Sequence, residues 1–196
     1  MQDLLHNISY SDWFINQKRI PDVLSEDYDL FFNLQKEYSM NGVMMGDVYI
    51  NPFLYWHLNF WNTEVDIIDD YGRINQKYAN PLLRDNEWLV TNEIDRAQKE
   101  KKGLVILGIR RFAKSVIESS YIGQGATFDE NSQNIIAGLN APDIKLITDK
   151  IDKGLNFLPK AWRWQRVEDN WKQQVTLGIK TKAGERIPFS QILIRN

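Results

Sequence analysis

Apolar residues follow two different rhythms along this chain. Up to about residue 103 they recur at helical spacing or gather in dense aromatic clusters. Beyond it, short continuous apolar runs alternate with amphipathic stretches. In the first part, "SYSDWFINQ" offers a Ser or Asp N-cap ahead of Trp13 and Phe14. "SEDYDLFFNLQKEYSMNG" predicts a helix capped by Ser25 or Asp27, with Leu30, Phe31, Leu34 and Tyr38 along one face and Asn41-Gly42 as its stop. "VYINPFLYWHLNFWNTEVDIID" breaks at Asn51-Pro52, and the rest suits either a strand or a short buried helix. "DDYGRINQKYANP" reads as turn-rich. "LLRDNEWLVTNEIDRAQKEKKG" predicts a helix with Leu82, Trp88, Leu89, Ile94 and Ala97 broadly on one face and lysines at its C-terminus.

In the second part, "LVILG" has the length and continuity of a strand buried on both faces. "KSVIESSYIGQGA" predicts a helix with Val116, Ile117, Ser120 and Tyr121 on one side, ending at Gly123 to Gly125. "NIIAGL" is a second buried-strand candidate. "APDIKLITDKIDKGLNFL" predicts an amphipathic helix on Ile144, Ile147, Ile151 and Leu155. "LPKAWRWQRVEDNW" reads as a basic, aromatic loop, and "QVTLGIKTKAGERIPFSQILIRN" as a hairpin turning at Ala183-Gly184. Strand, helix, strand and helix in this order predict parallel pairing in an α/β layout.

The chain has 196 residues and no cysteine, which excludes disulfides, thiolate zinc sites and cysteine nucleophiles, and suits a reducing compartment. His6 and His57 are its only histidines, too few for histidine-rich metal sites. No apolar run of membrane-spanning length occurs, and the N-terminus lacks the basic-then-apolar order of a signal peptide. The net charge of −2 hides an asymmetry. Residues 1–100 hold 8 Lys and Arg against 17 Asp and Glu, whereas residues 101–196 hold 16 against 9. The basic half either meets an anionic partner or attracts the acidic half.

The richest chemistry lies in Gly108-Ile109-Arg110-Arg111-Phe112-Ala113-Lys114-Ser115. It matches the phosphate-loop pattern G-x-x-x-x-G-K-[ST], with Ala113 in place of the second glycine. A loop of this length turns successive backbone N–H groups onto a phosphate, and the following helix adds its N-terminal donors and dipole. On this reading residues 108–115 cradle the phosphates of ATP, Lys114 reaches the β- and γ-phosphates, and the Ser115 hydroxyl holds Mg²⁺. Arg110 and Arg111 either reach the γ-phosphate or pair with an acid to shape the loop. Alanine at position 113 is costly if the backbone there must take a positive φ.

"LVILGIRRFAKS" resembles the variant Walker A of bacteriophage large terminase subunits, the ATPases of DNA-packaging motors. The order of elements after it is also similar, and "NPFLYWHLNFW" and "PLLRDNEW" resemble the lead-in of some members; the resemblance covers about residues 50–196. It implies a partial P-loop NTPase, a parallel sheet core with flanking helices, over residues 81–196, preceded by a mostly helical lead-in over 1–80. It implies Lys114, Arg110 and Arg111 as catalytic residues, with Arg84 and Trp88 near the adenine. The implied partners are double-stranded DNA, a portal, a small terminase subunit and further copies in a ring, at the procapsid in the cytoplasm of an infected bacterium.

A Walker B strand ending in Asp-Glu does not follow Lys114. "VEDNW" lacks the apolar run, and "VDIIDDY" places Asp69 and Asp70 before the loop rather than after it. The resemblance therefore implies a piece of a longer motor, with weak or no hydrolysis of its own. Two alternatives stand beside it. One is another P-loop ATPase such as a helicase. The other is a non-catalytic nucleic-acid-binding module, supported by "KAWRWQR", Lys160 to Arg166, which interleaves cations with Trp162 and Trp164; the competing reading of that run is a sheet edge with snorkelling arginines.

Overall fold

The computed structural model describes residues 22–25, 27–68, 71–81, 83–107, 113–138 and 140–195. They fall into two compact units, residues 1–113 and 114–196.

The first unit is built around an aromatic helix. Helix α1, Asp27–Asn41, ends where the sequence predicts, on Gly42. Gly42 has φ +76°, and a Cβ there would lie 2.6 Å from the Ile50 carbonyl oxygen. Strands β1, Val43–Met45, and β2, Val48–Ile50, form a small antiparallel ladder. Helix α2, Pro52–Asn59, starts on Asn51, whose side chain accepts a hydrogen bond from the Leu54 N–H at 2.7 Å. Every residue from Phe53 to Leu58 is buried. A helix apolar on all sides is stable only when surrounded, so "PFLYWHLN" resolves as a buried helix and not a strand.

Tyr55 of α2 donates from its hydroxyl to Gln35 on α1, and Asn51 donates to Asn92 on the third helix, α3, Asp85–Lys99. The buried face of α3 is Glu87, Val90, Thr91 and Ile94, while Leu89 points away and is 63% exposed. Strands β3, Thr63–Ile68, and β4, Ile74–Ala79, pair antiparallel. The turn-rich reading of residues 69–81 thus missed a polar strand, because β4 carries almost no apolar signal.

His57 is fully buried, and among the described residues neither ring nitrogen has a hydrogen-bond partner. Burial alone pushes its pKa down to about 3.

The second unit opens with helix α4, Lys114–Phe128. Strand β5, Gln133–Ala137, and helix α5, Ala141–Phe157, follow, then a 3₁₀ turn at Lys160–Trp162. Strands β6, Gln165–Asn170, β7, Gln174–Lys180, and β8, Arg186–Arg195, complete a sheet of order β5-β8-β7-β6. The β7–β8 hairpin turns at Gly184, φ +85°, as the sequence predicts. Helix α5 starts on Asn140, whose side chain accepts from the Asp143 N–H at 3.0 Å, and buries Ile144, Thr148, Ile151 and Leu155.

The expectation of a partial P-loop NTPase with a parallel sheet core is corrected here. Among the described residues only β5 and β8 pair in parallel, and every other ladder is antiparallel. Residues 102–107 form no strand; Val105 is 82% exposed and Leu107 is 90% exposed. Strand β5 is a sheet edge, with Ile135 at 63% exposure. The sequence signal failed for a physical reason. A continuous apolar run specifies only that no polar face is needed, not that two covering layers exist. Helix α4 also runs past Gly125 to Phe128, because the sheet supplies partners for its last carbonyls: Ser190 Oγ donates to Ala126 O at 2.6 Å and Trp164 Nε1 donates to Thr127 O at 2.9 Å.

The β7–β8 register shifts between Leu177 and Gly178, where Pro188, which cannot donate to a ladder, lies opposite Gly178. A Cβ on Gly178 would sit 2.1 Å from the Ile187 carbonyl oxygen.

Two outcomes are expected. Gly178→Ala will destabilise the second unit by about 1–3 kcal/mol, the usual cost of forcing atoms into a packed site, read as a lower urea midpoint. For His57, the folded state keeps the ring neutral while the unfolded chain binds a proton below its ordinary value of 6.5. Stability is therefore fully present above pH 6.5 and falls as pH drops towards about 3, with a limiting slope of about 1.4 kcal/mol per pH unit. Denaturant titrations between pH 7 and 4 will show this acid limb, and His57→Phe will flatten it.

Candidate phosphate-binding corner

Helix α4 starts at Lys114, as the sequence predicts. Ala113, immediately before it, has φ +58°. This is the left-handed conformation in which a Cβ crowds the following carbonyl, at a cost of about 1–2 kcal/mol for a residue other than glycine. The chain accepts that strain at the position where the phosphate-loop pattern carries glycine. A left-handed residue at this point turns the backbone sharply into the helix. The first N–H groups of α4, which have no partner inside the helix, lie along its entry.

Ala113, Lys114 and Ser115 are all half-buried, while Ile117, one turn on, is 2% exposed and anchors the turn in the core. Ser119 Oγ donates back to the Val116 carbonyl at 2.9 Å. The far end of α4 is held by Ser190 and Trp164, as described above. Glu118 lies one turn beyond Lys114. Partial burial pushes its carboxyl above the usual range and the Lys114 ammonium pulls it back, with burial the larger effect. The i,i+4 spacing of Lys114 and Glu118 is legible in the sequence.

Gly108, Ile109, Arg110, Arg111 and Phe112 lie outside the described residues, as do Asp69 and Asp70. Arg84 precedes the first turn of α3 in the first unit, where its backbone N–H donates to Glu87 at 3.0 Å, and Trp88 is half-buried on the same helix. Glu168 and Asp169 lie on the edge strand β6. Glu168 accepts from Thr176 Oγ1 at 3.2 Å, and Asp169 is 3.7 Å from Arg166, so both act within the sheet.

The Lys160–Arg166 run packs closely. Trp162 is buried edge-on against Phe128, and Trp164 stacks on Phe189 at 4.2 Å. Arg163 donates to the Leu158 carbonyl at the end of α5, and Arg166 pairs with Asp152 at 2.5 Å.

Among the described residues, no group of three His, Cys, Asp or Glu side chains could hold a metal ion. Ser115 offers a single hydroxyl, so Mg²⁺ would have to be carried mainly by the phosphates themselves, a common mode for this ion. No described helix is long and apolar enough to cross a membrane. No protein-family model matches the chain, and no curated protein is significantly similar to it.

The Ala113 conformation yields a direct expectation. Ala113→Gly will stabilise the protein by about 1 kcal/mol, because glycine takes positive φ without the Cβ penalty. Ala113→Val will destabilise it. Thermal melts of the three proteins check the order Gly, Ala, Val.

Proposed function

We propose that the corner formed by Ala113, Lys114 and Ser115 binds the phosphate tail of ATP with Mg²⁺. The observation that carries this reading is the left-handed Ala113 directly before a helix that opens with Lys114 and Ser115. Three physical effects converge there: backbone N–H groups without intrahelical partners, the positive end of the helix dipole, and the lysine charge. The reading rests on this corner and not on a parallel sheet. In it Lys114 holds the β- and γ-phosphates, Ser115 completes the coordination of Mg²⁺, and Arg110 or Arg111 meets the γ-phosphate.

The wider role we propose is the ATP-binding part of a viral DNA-packaging motor. It is supported by the resemblance of "LVILGIRRFAKS" to the loop of large terminase subunits and by the basic excess of residues 101–196. Double-stranded DNA, a portal, a small terminase subunit and further copies in a ring are its partners on that reading, and the cytoplasm of the infected host is its place.

Titration with a non-hydrolysable ATP analogue, followed by calorimetry, tests the corner. Lys114→Ala will weaken binding by roughly ten- to a hundredfold, the worth of about 1.5–3 kcal/mol for a charged contact. Ser115→Ala will reduce the gain in affinity that Mg²⁺ gives the wild type. Equal affinity in wild type and Lys114→Ala, with both folded, overturns the reading.

A further inference from the structure

A cavity of about 400 Å³ lies in the second unit, between the end of α5, the 3₁₀ turn and strands β6 and β7. It is within the size range of small-ligand pockets. Three cations line it, Arg163, Arg166 and Lys180, and no carboxylate does. Trp162, Trp164 and three leucines give it an apolar wall.

Donors remain available along this lining. The amide oxygen of Asn156 already accepts from Arg166 at 2.9 Å, and that of Gln165 accepts from the Lys180 backbone N–H at 2.9 Å. Both amides therefore have their NH₂ donors left to offer. Arg163 uses Nε and one terminal nitrogen on the Leu158 carbonyl, which leaves its other terminal nitrogen as a donor. Thr127 spends its hydroxyl proton on the Gly123 carbonyl at 2.6 Å and so offers the pocket only an acceptor. Among the described residues neither Arg163 nor Lys180 has an acidic partner. Arg166 is different: Asp152, Asp169 and Asn156 hold it, so it is a positioning residue for the wall.

Cations without acidic partners, amides with free NH₂ donors and indole walls together favour a planar, acceptor-rich anion. We propose that this cavity binds an aromatic ring carrying a phosphate, as in a nucleotide, with the ring against the apolar wall and the phosphate on Arg163 and Lys180. Such a group reaches the pocket either as a free mononucleotide or as one nucleotide of a single strand. The pocket does not share a residue with the corner at Lys114, so the two readings stand or fall separately.

Ligand-observed NMR with thymidine monophosphate and with an eight-nucleotide oligo-dT tests it on the full chain. Lys180 is exposed on a strand, so Lys180→Glu should leave the melting temperature unchanged and weaken binding about tenfold through charge repulsion. Arg163→Lys, which keeps the charge and removes the planar fork, should weaken it less. Oligo-dT that binds well above the monophosphate identifies a strand as the source, and equal affinities identify the free nucleotide. Saturable binding that Lys180→Glu reduces and Lys114→Ala leaves intact supports the pocket. The proposal is overturned if neither probe binds at millimolar concentration, if binding is indifferent to Lys180→Glu, or if it disappears in Lys114→Ala.

Discussion

The second unit depends on one strand holding two ladders of opposite sense. Strand β8 pairs in parallel with β5 over residues 133–137 and antiparallel with β7 over residues 174–180. Parallel strands cannot be joined by a tight turn, so β5 needs the α5 crossover and the β6–β7 hairpin before the chain can return beside it. Along β8 alternate residues turn inward, and Ser190, Ile192 and Ile194 are all buried. Ser190 also bonds the Ala126 carbonyl of α4. Sheet, crossover and helix are thus tied to a single strand.

This arrangement explains how strain can persist at Ala113. A left-handed alanine is stable only where the surroundings over-determine the backbone. The exit of α4 is pinned by Ser190 and Trp164, and its first turn is pinned by Ile117. Trp164 is in turn fixed by its stack on Phe189 of β8. The same tryptophan walls the cavity beyond α5, so one side chain serves both the helix and the pocket. Its two roles account for why the basic, aromatic run is ordered rather than a loop of solvated charge.

The first unit follows a different rule. Its centre is α2, and the polar atoms that α2 brings inside are mostly paired: Asn51 with Leu54 and Asn92, and Tyr55 with Gln35. His57 is the exception, neutral and with no hydrogen-bond partner among the described residues. A histidine in that state adds volume to the core at neutral pH and makes the core sensitive to acid.

Local chemistry in the sequence determined much of this protein. Asn41-Gly42 stopped α1, Asn51-Pro52 opened α2, and the spacing of Ile144, Ile151 and Leu155 set the buried face of α5. Ala183-Gly184 turned the last hairpin, and Lys114 began the helix after the candidate loop. Each of these is decided within a few residues, by φ, by a cap or by a period. Tertiary structure decided what the apolar runs do. "LVIL" and "NIIA" look alike in sequence, yet the second joins β8 while the first joins no ladder among the described residues. Strand β4 pairs without an apolar pattern because β3 lies beside it. The pocket joins residues from 127 to 180 that no local pattern connects. Ladders and cavities are set by distant partners, and a partner's position is a property of the folded chain.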